Sequence, residues 1–127
     1  MKLWIIAAAA LIAAPAFADD CSNAMDQNTM NRCAEDSYQK TDKVLNDTYA
    51  KLMAAVDDPG FKAKLKAAQR SWIQFRDNEC TYETADNEGG SIHPMVYAGC
   101  LTRLTKERTK TLEQLLICQK NAEKCGL

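Results

Sequence analysis

The stretch FKAKLKAAQRSWIQFRDNEC, residues 61–80, carries the clearest apolar stripe in the chain. Its apolar positions step by four, three, four and three residues, which is the spacing of one face of an α-helix. We therefore predict a helix here, with Trp72 and Phe75 packed into a hydrophobic core. The residues of the stripe are Phe61, Leu65, Ala68, Trp72 and Phe75.

A second helical stripe precedes this stretch and a third follows it. The earlier one spans residues 30–56 and ends at the Pro-Gly pair 59–60, which stops one helix while Asp58 caps the next. The later one spans residues 97–115, behind the glycine loop DNEGGS at residues 86–91. Because no strand alternation occurs, we predict an all-α fold: a helical hairpin with a third helix packed along it.

The first 18 residues, MKLWIIAAAALIAAPAFA, have the form of a secretory signal peptide with an Ala-x-Ala cleavage site. The run is too short for a membrane span, and nothing later in the chain is apolar enough for one. Cleavage after Ala18 would leave residues 19–127 as a single helical domain, periplasmic or secreted. Asp19 and Asp20 precede Cys21 where a lipoprotein signal needs small residues, so we expect no lipid anchor.

All six cysteines lie in the mature segment. An even number of cysteines in an exported chain of this size predicts three disulfides formed in an oxidising compartment. A zinc site is the rival interpretation, but no Cys-x-x-Cys occurs and His93 is the only histidine. We therefore expect disulfides and no metal.

The spacing of the cysteines favours one set of pairs among the 15 that six cysteines allow. Cys80 and Cys100 each lie ten residues from Gly90, so two antiparallel helices that turn at this glycine bring them level. A disulfide needs Cα atoms within about 7 Å, which facing positions of packed helices supply. The other pairs are then Cys118 with Cys125, which bracket a short tail, and Cys21 with Cys33.

Arg108 interrupts the apolar stripe of the third helix. If the second and third helices mirror each other about Gly90, Arg108 lies level with Trp72, and Asp42 of the first helix lies at a similar height. A buried guanidinium needs a carboxylate or an aromatic face, because leaving it unpaired is costly. We predict a structural Arg–Asp–Trp cluster. The alternative, a polar site inside the bundle, lacks a companion nucleophile or base.

Four segments together resemble a known family. They are MNRCAEDSYQKTDKVLNDTYAKL, AQRSWIQFRDNEC, GGS and CLTRLTKERTKTLEQL, within residues 21–115. Their Cys, Trp, Arg and Gly-Gly-Ser landmarks resemble the LprI N-terminal-like family of secreted bacterial proteins, named for a lipoprotein that inhibits lysozyme. The resemblance implies a helical, disulfide-bonded envelope protein with lysozyme as its expected partner. It supplies no catalytic residues to carry over.

Acidic residues gather at one predicted end of the hairpin. Residues 77–88 contain five acids and no base, whereas the lysines of residues 62–66 lie near the opposite turn. One interpretation is ordinary solvated surface. The other is an acidic patch that steers a basic partner, such as a c-type lysozyme or another basic envelope protein. The predicted partner-binding residues, on the glycine loop and its approach, are Glu83, Asp86, Glu88, Ser91 and His93.

Motifs and composition argue against other functions. No G-x-S-x-G, P-loop or H-E-x-x-H motif occurs, so we expect no enzyme, no catalytic residue and no cofactor. A net charge of −1 and an exported location disfavour nucleic acid as a partner. Two function classes remain. The first is a lysozyme inhibitor that acts by steric and electrostatic blockade, and the second is a structural or chaperone-like periplasmic module without lysozyme activity.

Overall fold

The computed structural model describes residues 21–125, and over that range its regular elements are all helical. The predicted all-α fold is therefore confirmed. The predicted signal peptide, residues 1–18, lies outside the described residues. No helix within residues 21–125 is both long and apolar enough to cross a membrane. The three long helices are α1 (Gln27–Ala55), α2 (Pro59–Glu83) and α3 (His93–Lys120), and short 3-10 helices follow at Ala85–Asn87 and Ala122–Lys124.

Aspartates begin the first two helices. The Asp26 carboxylate accepts a hydrogen bond from the Thr29 backbone N–H at 2.9 Å, which satisfies one of the free donors at the start of α1. Asp58 does the same for Phe61 at 2.9 Å, with Pro59 in the first turn of α2, so the predicted cap at Asp58 is confirmed.

The Asp26 cap makes the stability of α1 depend on pH. The Thr29 backbone N–H lowers the pKa of Asp26 below its ordinary value. Because the folded pKa is lowered, the stabilisation is present above the unfolded pKa of about 3.9 and is lost as pH falls through the folded pKa. We expect the difference in melting temperature between wild type and Asp26→Asn to shrink from about pH 6 to about pH 2.

Thermal melts followed by circular dichroism at several pH values measure this difference. Asp36→Asn, at an exposed position on the same helix, is the matched control and should melt as the wild type does. A gap between wild type and Asp26→Asn that stays constant down to about pH 2 would contradict the assignment of Asp26 as a charged cap.

Side-chain contacts give the direction of each helix. Asn31 Nδ2 of α1 donates to the backbone carbonyl of a loop residue just before α3 at 2.9 Å, so α1 and α3 begin side by side and run parallel. These two helices are the most closely packed pair. α2 runs antiparallel to α3, because Leu65 near its start packs in one cluster with Leu112, while Cys80 near its end bridges to Cys100.

The core consists of two clusters that meet at one residue. The first cluster centres on Leu45, Leu52 and Leu112, which are at most 2% exposed. The second cluster surrounds the Cys80–Cys100 bridge near the loop between α2 and α3. Trp72 is partly buried and packs against both clusters. Its predicted role as a core residue is therefore confirmed.

The inward face of α2 differs from the predicted stripe. Phe75 is 53% exposed and Phe61 is 61% exposed, so the prediction that Phe75 packs in the core is wrong. Leu65 and Trp72 belong both to the predicted stripe and to the observed inward face. Apolar periodicity alone therefore did not distinguish the predicted rotation of α2 from the observed one. The side chains that do face inward are Leu65, Gln69, Trp72, Arg76 and Cys80.

Three disulfides join the pairs that the sequence favours. Their Cα–Cα distances, 5.7, 5.6 and 4.8 Å, lie within the range of ordinary bridges. The second of them, fully buried at Cys80, fixes the end of α2 beside the start of α3. The pairs are Cys21–Cys33, Cys80–Cys100 and Cys118–Cys125.

Candidate functional site

The loop between α2 and α3 is tied to the helices at several points. The buried Thr84 hydroxyl donates to the Cys80 carbonyl at 2.7 Å and lies 3.3 Å from His93 Nε2. Asn31 Nδ2 donates to the Ser91 carbonyl at 2.9 Å, which ties the loop to α1. These contacts and the neighbouring bridge hold the loop as a fixed surface feature.

Glycine allows the tight turn inside this loop. Gly89 has a φ of +77°, in the left-handed region that residues with a side chain rarely adopt. A Cβ atom on Gly90 would lie 3.1 Å from the Asn87 carbonyl oxygen, closer than an ordinary contact. The two glycines therefore let the chain reverse beside the acidic end of α2 without strain.

The predicted partner-binding residues fall into two groups. Asp86 and Glu88 are exposed, and neither forms an ion pair or hydrogen bond through its carboxylate within residues 21–125. His93 is partly buried, stacks on Tyr97 with ring centroids 5.7 Å apart, and forms part of the loop anchorage. Ser91 is exposed, but its carbonyl is engaged by α1. The loop therefore presents acids outward and uses its other polar groups inward.

Glu83 is already paired. Its two carboxylate oxygens accept hydrogen bonds from Arg103 Nη2 at 2.8 and 2.7 Å. The hydrogen bond to Glu83 raises the pKa of the Arg103 guanidinium. This pair joins the end of α2 to α3, next to the Cys80–Cys100 bridge. Of the three predicted acids, only Asp86 and Glu88 are therefore free of a described counter-ion.

The interior contains a buried arginine that the sequence analysis missed. Arg76 is 6% exposed, and its guanidinium lies 5.4 Å from the Tyr38 ring centroid and 5.3 Å from that of Trp72. It pairs with Asp77 at 2.9 Å and with Asp42 at 3.2 Å. Burial lowers the pKa of Arg76, but its hydrogen bond to Asp77 and the nearby charges outweigh this effect and raise it overall.

The predicted Arg–Asp–Trp cluster therefore exists around a different arginine. Arg108 does lie level with Trp72, 5.8 Å from its ring centroid, as the mirror symmetry predicts. Its Nε donates a hydrogen bond to Gln69 Oε1 at 3.0 Å, and burial lowers the pKa of Arg108. The expectation that Asp42 pairs with Arg108 is wrong, because the Asp42 carboxylate pairs with Arg76 instead.

One signal in the sequence points to Arg76. Cys80 must face α3 to bridge with Cys100, and Arg76 lies four residues earlier on the same face of the helix. The inferred bridge therefore predicts the correct inward face better than the apolar stripe does. The carboxylates of Asp42 and Asp77 both form ion pairs with Arg76. Because Arg76 Nη1 also donates to Thr105 Oγ1 of α3 at 3.4 Å, the cluster joins all three helices.

The described surface offers open grooves. One groove of about 320 Å³ lies between α1 and α3 and is lined by Thr41, Val44 and Lys106 among others. Within residues 21–125, no group of three His, Cys, Asp or Glu side chains is placed to hold a metal ion. The candidate site is therefore the loop of residues 84–92 with its exposed acids Asp86 and Glu88, called here the acidic loop end.

The fold and the loop end define a class: a small disulfide-bonded helical module with an apolar core, a buried arginine cluster and a fixed acidic surface. Residues 18–112 match the family model described as "Lysozyme inhibitor LprI". Because this match spans most of the sequence, the chain belongs to the LprI family, and the resemblance seen in the sequence is confirmed.

Two individual proteins show the same relationship. An uncharacterized protein of Rhizobium meliloti (strain 1021) is 36% identical over 114 residues, covering 80% of this chain and 82% of its own. The crystal structure of a DUF1311 family protein from Pseudomonas putida KT2440 superposes with a TM-score of 0.66. It is 26% identical and covers 72% of this chain and 94% of its own length.

Proposed function

We propose that this protein binds lysozyme and inhibits it by steric and electrostatic blockade from its acidic loop end. Membership of the LprI family supports the choice of partner. The observation that carries the proposal is the pair of exposed acids, Asp86 and Glu88, on a loop that Thr84 and Asn31 hold in place. A c-type lysozyme is strongly basic, so the two surfaces have complementary charges. The proposed activity is binding, without catalysis.

The anchored loop favours such binding. A flexible loop loses conformational freedom when it binds, and this loss weakens affinity. Here the Cys80–Cys100 bridge and the hydrogen bonds at Thr84 and Ser91 already restrict the loop. The loop is therefore already ordered in the folded protein, so little conformational freedom remains to be lost when it binds a partner.

The location of the protein is part of the proposal. The signal peptide predicted for residues 1–18 would send the chain out of the cytoplasm, and three disulfides are typical of an oxidising compartment. Family membership supports the same location. An inhibitor in the periplasm or beyond it would meet lysozyme before the enzyme reaches the cell wall.

Titration of the purified mature protein into a lysozyme turbidity assay tests the function directly. We expect stoichiometric inhibition and a complex that weakens as salt rises above about 0.1 M, where the Debye length is about 10 Å or less. Failure of the wild type to bind or inhibit lysozyme would overturn the proposed function. Suppression of aggregation of several unrelated proteins would then favour the chaperone-like alternative.

The loop acids should act mainly on the association rate. The double variant Asp86→Lys with Glu88→Lys is expected to slow association with lysozyme about tenfold or more at low salt, with a smaller change in dissociation, because exposed rim charges steer encounter. Surface plasmon resonance at low and high ionic strength separates the two rates.

A matched control has the same change in net charge at the other end of the molecule. Asp57 and Glu113 are exposed acids near the turn between α1 and α2 and in the second half of α3. The double variant Asp57→Lys with Glu113→Lys should associate nearly as fast as the wild type. Equal slowing by both double variants would show that overall charge matters and the loop end does not.

A further inference from the structure

Two large aromatic side chains lie exposed on α2, beside the acidic loop. Phe75 is 53% exposed and Tyr82 is 79% exposed. They are seven residues apart, so they lie on nearly the same face of the helix, about 10 Å apart along its axis. Glu79 lies between them, four residues after Phe75 and three before Tyr82. Phe75, Tyr82 and the half-buried Glu79 between them are called here the aromatic strip.

The strip results from an unusual distribution of residues around α2. The inward face contains Gln69 and Arg76, which are 5% and 6% exposed. The aromatic rings point outward instead, where their apolar surface stays in water. A single exposed hydrophobic residue needs no explanation. Two aromatic rings on one face, in the base-free acidic segment of residues 77–88 and just before it, form a patch with the composition of a protein interface.

We infer that Phe75 and Tyr82 are the apolar anchors by which the protein holds a basic protein partner, with Glu79, Asp86 and Glu88 as the charged rim. This inference rests on the proposed function and extends its contact surface from the loop onto α2. Aromatic anchors at the centre of an interface carry most of its binding energy, and surrounding charges contribute chiefly to steering.

The occupant follows from the charges around the strip. Tyr82 stands four residues before Asp86 and three residues after Glu79, and the whole segment from residue 77 to 88 lacks a base. Such a surface repels acidic proteins and attracts basic ones. A tyrosine ring that projects from a helix also fits a concave surface, with its hydroxyl free to hydrogen-bond inside it. A basic protein with an open cleft, as lysozyme is, matches both properties.

The same helix provides a matched comparison at its other end. Phe61 is 61% exposed, similar to Phe75, but it lies among lysines, and Lys64 Nζ stands 5.6 Å from its ring centroid. Phe61 and Phe75 therefore share residue type, helix and exposure, and differ in the charge of their surroundings. If exposed aromatic area alone caused binding, the two would be equivalent.

The test is surface plasmon resonance of Phe75→Ala, Tyr82→Ala and Phe61→Ala on immobilised c-type lysozyme, with melting curves for each variant. We expect Phe75→Ala and Tyr82→Ala each to raise Kd about 30-fold or more, mainly through faster dissociation. Phe61→Ala should stay within about twofold of the wild type. All three should melt near the wild-type temperature, because alanine suits a helix and the replaced rings are exposed.

The outcomes separate this inference from the function on which it rests. If the wild type binds and the Asp86 and Glu88 reversals slow association, but the Phe75→Ala with Tyr82→Ala double variant keeps its Kd, the aromatic anchors are overturned and the proposed function stands. Equal losses at Phe61 and Phe75 would also overturn the anchors. A wild type that does not bind lysozyme overturns both. Tyr82→Gln, a second helix-compatible replacement, should reproduce the loss seen with Tyr82→Ala.

Discussion

Replacing Trp72 with alanine is expected to lower the free energy of unfolding by about 3–5 kcal/mol. The indole joins the two hydrophobic clusters, so its removal opens a cavity where they meet. It also removes the aromatic face beside Arg76 and Arg108, whose guanidinium carbons lie 5.3 and 5.8 Å from the ring centroid. Urea unfolding followed by circular dichroism measures the change.

Phe75→Ala is the natural control for Trp72→Ala. The two residues are three positions apart on α2, but Phe75 is 53% exposed and leaves no cavity. Its replacement should change the free energy of unfolding by less than about 1 kcal/mol. A Trp72→Ala protein with an unchanged unfolding curve that fails to bind lysozyme would assign Trp72 to a binding surface and contradict its role in the core.

The second large effect is expected when the buried arginine loses both carboxylates. The double variant Asp42→Ala with Asp77→Ala should destabilise the protein by about 3 kcal/mol or more, because Arg76 would then be a buried cation without a counter-ion. Its side chain is only 7% exposed, whereas those of Asp42 and Asp77 are 33% and 47% exposed, so water replaces the lost partners only in part. Either single variant should cost less, since one carboxylate remains in contact.

The exposed ion pair on α1 is the matched control for this variant. Asp47 pairs with Lys43 at 2.6 Å, but the two side chains are 57% and 75% exposed. Asp47→Ala should therefore change stability by about 0.5 kcal/mol or less. Chemical denaturation of the variants in parallel gives the comparison. Similar costs for Asp47→Ala and the double variant would show that burial of Arg76 does not amplify its ion pairs.

The buried arginine also accounts for the surface proposed to bind the partner. Arg76 must face Asp42 of α1 and Thr105 of α3 to form its polar contacts. That orientation turns the opposite side of α2 toward solvent, including Phe75 and Tyr82. The buried polar contacts of Arg76 that set the rotation of α2 thus also decide which side chains its outer face exposes.

The sequence by itself determined the number of long helices, the start of α2 and the family. Apolar periodicity gave the three helices, and Asp58 with the Pro-Gly pair marked the start of α2. The equal distances of Cys80 and Cys100 from Gly90 predicted their bridge and placed Arg108 level with Trp72. These features follow from local hydrogen bonding and from distances along the chain, so they can be obtained without knowing which helices touch.

Apolar periodicity left the rotation of α2 about its axis open, and the tertiary structure established the inward face that Cys80 indicates. Leu65 and Trp72 fit both the predicted and the observed inward face, so the choice depended on Arg76 and Gln69 finding partners on other helices. The packing of α2 against α3 likewise pairs Glu83 with Arg103, whereas Asp86 and Glu88 stay exposed. Arg76 and Gln69 are buried where groups from distant parts of the chain satisfy them, and those groups come together only in the folded protein.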